Sequence, residues 1–531
     1  MGELGSPTFC SYIYGILKHV KIKVMKNFGL YKYQLEAFNA CNENKKGIVV
    51  MPTGTGKTFV QSSIVAEDIK QNPGFRIYVV NAPRIMLSFQ LLEEFYKFNI
   101  NNGIDARYMA VHSGKMESKD LDQYRKENSN FDHSNISSTT SPKVIKEQIN
   151  RCKKANQPLI FFSTYNSAIQ IECGRSQETI NIILNDEAHY LVQERFNSDF
   201  NKIETERKYF FTATTKETPS DEGFGMNNEE FYGSKIFIMT PFEAIQEGKI
   251  VRPRIHIVSN AKGETMTQDD VDKNLGSVVM NSYNEHTKLL KRQIQGKMLI
   301  AASGLDDMKN LIASQEIKEF ISNGGKFFAV ASDQEVNNYI NGVKVNRREF
   351  LKTLQINGCN PNQKIIVIHY DILTEGIDVP GLTGVLFLRD LKKSKFIQTF
   401  GRVARLDTND RDLINKKVIT SNDLNLMNKP YAWVIIPAIK EEDKDRLSNL
   451  SGLIEELRDF GFDPKEDIEP NDRGRGKGDE DKDEIVPDSK NSRGLIAKEI
   501  EEYNHNIEKE KIANKTFGEY FSGSNLFNNA A

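Results

Sequence analysis

The stretch that most limits what this chain can fold into is Ile48-Val49-Val50-Met51-Pro52-Thr53-Gly54-Thr55-Gly56-Lys57-Thr58. A short apolar run feeds a glycine turn that closes on Lys-Thr, which predicts a buried parallel strand, a loop and a helix start. Gly54 and Gly56 let backbone N–H groups close around an anion. Lys57 adds a point charge for terminal phosphate oxygens, and the Thr58 hydroxyl can hold Mg²⁺. The helix that follows turns its positive end to the same place. Met51 through Thr58 is therefore the candidate triphosphate cradle. It departs from the strict pattern at Met51, where glycine is usual. A bare glycine turn between a strand and a helix reads the same way in isolation, so the rest of the chain has to decide.

With 531 residues there is room for two to four domains, each burying its own core. A net charge of −2 rules out a global basic field, so any nucleic-acid groove is local. Cys10, Cys41, Cys152, Cys173 and Cys359 are scattered, with no CxxC spacing. That argues against a metal cluster or a disulfide framework and fits a reducing compartment. No apolar stretch reaches the length of a membrane span. The expectation is a soluble intracellular protein, cytoplasmic rather than membrane-bound.

Residues 1–27 form a basic extension in which Lys18, Lys21, Lys23 and Lys26 are offset by Glu3 alone. Shortly after it comes Gln34, on a helix upstream of the loop. Its amide can pair with both edges of an adenine, which makes it a candidate base reader. Past the loop, β-rich runs at 77–80, 107–111, 159–162, 182–184 and 210–212 alternate with helical patterns. Such alternation implies a parallel sheet with both faces covered and active groups at the carboxyl ends of the strands. The polar residues obey that rule: Pro83 and Arg84 follow one strand, Thr164 another, Asp186, Glu187 and His189 a third, Thr212 and Thr214 a fourth. A polar insertion interrupts this first lobe at about 113–143. The first lobe is placed at 28–245 and a second at 246–440, with strands at 255–258, 298–302, 327–331, 365–369, 385–388 and 433–436. A helix at 441–462 should follow. Residues 463–490 carry 11 acids against 6 bases and read as a solvated linker. The last segment, 491–531, reads as a helical tail that could dock on a protein partner.

Adjacent carboxylates at a strand end suit two jobs. Asp186 can hold Mg²⁺ while Glu187 orients or deprotonates an attacking water. Asp378, in a Gly- and Pro-shaped loop, can accept from a ribose hydroxyl. At 100° per residue Gln398, Arg402 and Arg405 share one helix face, and two planar guanidinium groups beside an amide make a phosphate clamp.

In order along the chain, these segments resemble the motifs of the superfamily 2 helicases with a DEAH box. MPTGTGKT, NAPRIMLSFQ, STYNSA, DEAH, TAT, AAS, TEGIDVP and QTFGRVAR correspond, and the likeness covers roughly residues 28–410. Within the superfamily the APRI and FGRVAR forms are most similar to the motor subunits of type I and type III restriction systems and their phage, viral and plasmid relatives. The resemblance implies an α/β fold of two tandem RecA-like parallel-sheet lobes, with a mostly helical, partly disordered C-terminal tail. It implies ATP and Mg²⁺ held between the lobes, with Lys57, Thr58, Asp186 and Glu187 from one and Gln398, Arg402 and Arg405 from the other. His189, Thr212 and Thr214 would link hydrolysis to the strand-binding face. Pro83, Arg84, Thr164, Ser303 and Thr374 would contact one strand's phosphates. The activity implied is an ATP-dependent helicase or translocase on nucleic acid, DNA before RNA. An RNA helicase and a non-unwinding double-strand translocase or clamp are the alternatives.

Overall fold

The computed structural model describes residues 28–112, 137–194, 196, 200, 202–219, 222–258, 273–290, 294–302, 304–331, 338–370, 379–388, 393–437, 457 and 468–469. The chain separates into two compact units, Met1–Ala244 and Ile245–Ala531.

In the first unit α1 (Lys32–Glu43) leads into β1 (Lys46–Val50), then α2 (Lys57–Gln71), β2 (Ile77–Ala82), α3 (Ile85–Asn101) and β3 (Arg107–Val111). There follow β4 (Ser137–Thr139), α4 (Pro142–Ala155), β5 (Leu159–Thr164), α5 (Ala168–Gly174), β6 (Ile180–Asn185), β7 (Thr205–Thr212), α6 (Glu229–Tyr232) and β8 (Lys235–Ile238). The eight strands form one sheet in the order β4-β3-β5-β2-β6-β7-β1-β8, and every pairing is parallel. Parallel neighbours need crossovers, and helices supply most of them, so the sheet lies between helical layers. β2, β5 and β6 are accordingly buried at every position. Register then decides what meets at the carboxyl edge. Val50 pairs with Thr212, Asn185 with both Phe210 and Asn81, and Ala82 with Thr164. Five consecutive strands, β5-β2-β6-β7-β1, thus end at one level, each followed by one of the polar segments.

The helix that begins at the loop is fixed at its far end. Asp68, buried near the end of α2, accepts from Arg76 Nε at 2.8 Å, from the Tyr78 hydroxyl at 2.7 Å and from Arg207 Nη2. Arg76 and Tyr78 stand at the start of β2, and Arg207 is on β7. One carboxylate therefore ties α2 to two strands.

The second unit repeats the βα rhythm. α7 (Pro241–Gln246) spans the boundary, followed by β9 (Arg252–Val258), α8 (Leu275–Leu289), β10 (Lys297–Ala301), α9 (Leu305–Ala313), α10 (Gln315–Ser322) and β11 (Lys326–Ala331). Then come β12 (Asn338–Ile340), β13 (Val343–Val345), α11 (Arg347–Cys359), β14 (Ile365–Tyr370), β15 (Gly384–Phe387), α12 (Lys393–Val403), α13 (Thr408–Asn415), β16 (Tyr431–Pro437) and β17 (Ile468–Glu469). The sheet order is β13-β12-β11-β14-β10-β15-β16-β9-β17, parallel except for the β11-β12-β13 meander.

Every long apolar run becomes a strand near its expected position, and short edge strands are added. β12 and β13 are joined by Asn341-Gly342, both at positive φ (53° and 81°), the two-residue hairpin turn that Asn-Gly favours. β17 falls inside the stretch expected to be a solvated linker: Ile468 and Glu469 pair with Ile255 and His256 of β9. The basic extension, most of the insertion, the expected helix at 441–462 apart from Leu457, and the expected helical tail lie outside the described residues. Among the described residues no helix is long and apolar enough to cross a membrane.

Asp68→Ala would leave two arginines and a buried tyrosine hydroxyl without their shared acceptor. It should cost about 3 kcal/mol, measured as a lower urea midpoint by circular dichroism, whereas Glu206→Ala on the exposed side of Arg76 should shift it little. An unchanged Asp68→Ala midpoint would contradict the anchoring role.

Candidate active site

The loop between β1 and α2 takes its shape from two glycines. Gly54 has φ 89° and Gly56 has φ 83°, a left-handed conformation that glycine adopts without the cost of a Cβ. A Cβ on Gly56 would stand 2.5 Å from Gln34 Nε2. Gln34 is buried and braces the loop: its amide NH₂ donates to the Thr55 carbonyl at 3.0 Å, and its Oε1 accepts from the Tyr31 N–H at 3.0 Å. The Tyr33 hydroxyl donates to the same Thr55 carbonyl at 2.9 Å. Met51, the departure from the strict pattern, is wholly buried, and its N–H donates to the Thr212 carbonyl at 2.9 Å. Here an apolar side chain fills the sheet edge below the loop. The Thr55 hydroxyl closes the turn on the Pro52 carbonyl at 2.7 Å, Thr53 is half-buried and Gly54 is exposed.

Lys57 is buried, with Nζ 3.3 Å from the Met51 carbonyl and 3.8 Å from Glu187 Oε1. One turn on, Gln61 donates from Nε2 to Asp186 Oδ1 at 2.8 Å. Asp186 is also held by its backbone: its N–H donates to the Asn81 carbonyl at 2.8 Å, and its carbonyl accepts from the Tyr165 hydroxyl. Asn81 Nδ2 in turn reaches Asn185 Oδ1 at 3.0 Å, tying β2 to β6. Burial, reinforced by the neighbouring Glu187 carboxylate, raises the Asp186 carboxyl well above the usual carboxylate range, while Lys57 and Gln61 pull it back. Glu187 is a non-glycine residue at φ 49°, a strained left-handed conformation at the turn that follows β6.

His189 follows on a short 3₁₀ turn (Ala188–Leu191), with Nδ1 3.0 Å from Thr212 Oγ1 and 3.5 Å from Glu187 Oε2. Burial lowers its pKa, so the ring is neutral near pH 7. The Thr212 hydroxyl donates to the Thr214 carbonyl at 2.7 Å, which assigns the ring proton to Nδ1 as donor to Thr212. Thus the segments that follow β6 and reach the end of β7 are joined by a side-chain hydrogen bond as well as by the strand ladder. Pro83 is half-buried and Arg84 exposed at the start of α3, while Thr164 is buried and donates to Ser167 Oγ at 3.2 Å.

The donors suit a hard cation. Thr58, Asp186 and Glu187 offer oxygen only, which matches Mg²⁺. Among the described residues no group of three or more His, Cys, Asp or Glu side chains could hold a metal alone. A cation here would take its remaining ligands from outside the chain, as water or phosphate oxygens.

In the second unit Arg402 is buried near the end of α12. The expected shared helix face does not extend to Arg405, because α12 ends at Val403. Ala404 N–H makes the last helical bond, to the Phe400 carbonyl, while the Ala404 carbonyl turns out to the Val251 N–H at 2.7 Å. Arg405 then pairs as an isolated antiparallel bridge with Ile250. Gln398 lies on α12 but its side chain is outside the described residues, as are Ser303, Thr374 and Asp378.

Sequence reasoning missed Gln61 and Tyr165. Gln61 was findable, since it lies four residues after Lys57 on the same helix face; the reach of Tyr165 to β6 follows from strand order and has no local signal.

Gly56→Ala should reduce affinity for a fluorescent ATP analogue by about tenfold or more, through the lost left-handed conformation and the collision with Gln34. Near-normal affinity would show that the loop needs neither.

Residues 27–217 match the family model described as type III restriction enzyme, res subunit. Probable helicases of African swine fever virus are 23% identical over 431 residues in one strain and 22% over 431 residues in another, covering 80% of this chain and 42% of their own. The chain thus spans under half the length of these curated relatives. Among solved structures, the ATP-dependent type ISP restriction-modification enzyme LlaBIII bound to DNA has a TM-score of 0.57 at 19% identity, over 81% of this chain and 30% of that one. A nuclease-deletion mutant of the type ISP enzyme LlaGI, in complex with a DNA substrate mimic, gives 0.51 at 21% identity, over 81% and 29%. At these identities both speak to the fold, two RecA-like parallel-sheet lobes. Residues 27–217 thus match the restriction res-subunit family, and over most of its length the chain is similar to viral probable helicases and to restriction enzymes of the same two-lobed fold.

Proposed function

We propose that the chain is an ATP-dependent nucleic-acid motor, a helicase or translocase whose track is DNA. The observation that carries this reading is the convergence of Lys57, Asp186 and Glu187 at the end of one sheet, with His189 and Thr212 linking the carboxylate segment to the next strand. The loop from Met51 to Thr58 binds the triphosphate through its backbone N–H groups, and Lys57 neutralises the terminal phosphates. Glu187, whose Oε1 lies 3.8 Å from Lys57 Nζ, is placed beside the terminal phosphates to orient the attacking water. Mg²⁺, held by Thr58 and Asp186, would offset the charge that builds on the phosphates.

Gln398, Arg402 and Arg405 take the phosphate-stabilising role, and Asp378 the ribose. Gln34 gives the base a neighbour whose amide is already committed to shaping the loop, so base selection depends on that brace as well as on direct pairing. Pro83, Arg84, Thr164, Ser303 and Thr374 contact one strand's backbone without reading sequence. His189 and Thr212 carry the change at the carboxylates to that face. DNA is favoured because the restriction enzymes of like fold were solved with DNA or a DNA mimic.

ATP turnover titrated with single-stranded DNA, duplex DNA and RNA, beside a strand-displacement assay, tests the reading. Single-stranded DNA should stimulate turnover and displacement should follow. Stimulation by RNA alone would make the track RNA. Duplex-stimulated turnover without displacement would make the chain a double-strand translocase.

A further inference from the structure

We infer that Lys429 is the positioning residue of the second unit's arginine segment: its ammonium group holds the main-chain carbonyls on either side of Ala404 and so fixes where Arg402 and Arg405 present their guanidinium groups. The inference rests on the motor reading above, in which those arginines act on phosphate.

A helix leaves its last carbonyls without partners inside the helix, and something outside must take them. At the end of α12 the Lys429 Nζ donates to the Val403 carbonyl at 2.5 Å and to the Arg405 carbonyl. The carbonyl between them, on Ala404, accepts from the Val251 N–H at 2.7 Å. Three consecutive carbonyls are thus taken from outside the helix, two by one side chain. That is why the helix stops at Val403 and Arg405 leaves it in an extended direction against Ile250. Without the ammonium, the Val403 and Arg405 carbonyls would be buried without it as donor, and the turn carrying both arginines would relax toward other partners.

Lys429 is itself held in place. It is buried, and its own N–H and that of Asn428 donate at 2.8 Å each to the two carboxylate oxygens of Asp410, which is buried in the first turn of α13. The order of dependence runs from Asp410 to the 428–429 backbone, to the Lys429 ammonium, to the carbonyls and then to the arginines. A glycine cap would end the helix without burying a charge; the cation adds a second, charge-assisted hold that also complements the helix dipole.

The charge is adjustable. Burial lowers the Lys429 pKa to about 7; Asp407 and Asp410 oppose that shift, Arg405 and Arg411 add to it, and His286 of α8 also feels the Lys429 charge. Below neutrality the group is an ammonium that holds both carbonyls. As pH rises through about 7 it becomes an amine with a weaker grip, so the arginine segment loosens on the alkaline side.

The test uses the full chain, measuring single-stranded-DNA-stimulated ATP turnover and, separately, affinity for a fluorescent ATP analogue. Lys429→Met should lower kcat by about tenfold or more, with analogue affinity within about twofold of wild type. Lys429→Arg, charged at every working pH, should recover much of that turnover and lose the wild-type decline in kcat above neutrality. If Lys429→Met folds poorly, Asp410→Asn carries the same test, with the same split between kcat and affinity. Unchanged kcat in Lys429→Met, equal loss of kcat and affinity, or an alkaline decline that persists in Lys429→Arg would overturn the assignment. A wild-type chain that turns over no ATP would instead sink the motor reading beneath it.

Discussion

The carboxylate of Asp186 is the group on which the first unit's site depends. It sits at the end of β6, withdrawn from water, beside a second carboxylate, in a place that penalises its ionised form. Such a group persists only when its surroundings leave it no alternative position. Gln61 supplies a side-chain donor, Asn81 takes its N–H, and Tyr165 caps its carbonyl. Each of these comes from a different element, and parallel register brings them level.

The same logic reaches β7 through a neutral histidine. His189 donates to Thr212, whose backbone carbonyl receives the Met51 N–H at the base of the loop. The glycine loop, the carboxylate turn and the threonine strand end are therefore one connected edge. Met51 belongs to this edge as a buried plug, and glycine at its place would leave a void under the loop.

Much of this was legible in the sequence because parallel sheets write long apolar runs and place their chemistry at strand ends. The runs at 77–80, 159–162 and 182–184 have no competing period, and Pro83, Thr164 and Asp186 follow them directly. Legibility fails where long-range geometry decides. The reach of Gln34 to the Thr55 carbonyl is a tertiary fact with no local signal. Arg405 fitted a helical repeat with Gln398 and Arg402, yet Val251 and Lys429, residues far off in sequence, end that helix two residues early. Ile468 and Glu469 sit in a charged stretch with no strand signal and pair only because β9 offers an edge. The Asn341-Gly342 hairpin was different, since that dipeptide between β-branched residues is a local turn signal.

Lys57 joins the loop, the Met51 carbonyl and Glu187, so its removal questions the central claim most directly. The measurement is ATP turnover by Lys57→Ala across a single-stranded DNA titration, with circular dichroism to establish that the fold is intact. The account predicts that stimulated turnover falls by about a thousandfold or more, to background. A folded Lys57→Ala chain that hydrolyses ATP at near-normal rates would contradict it.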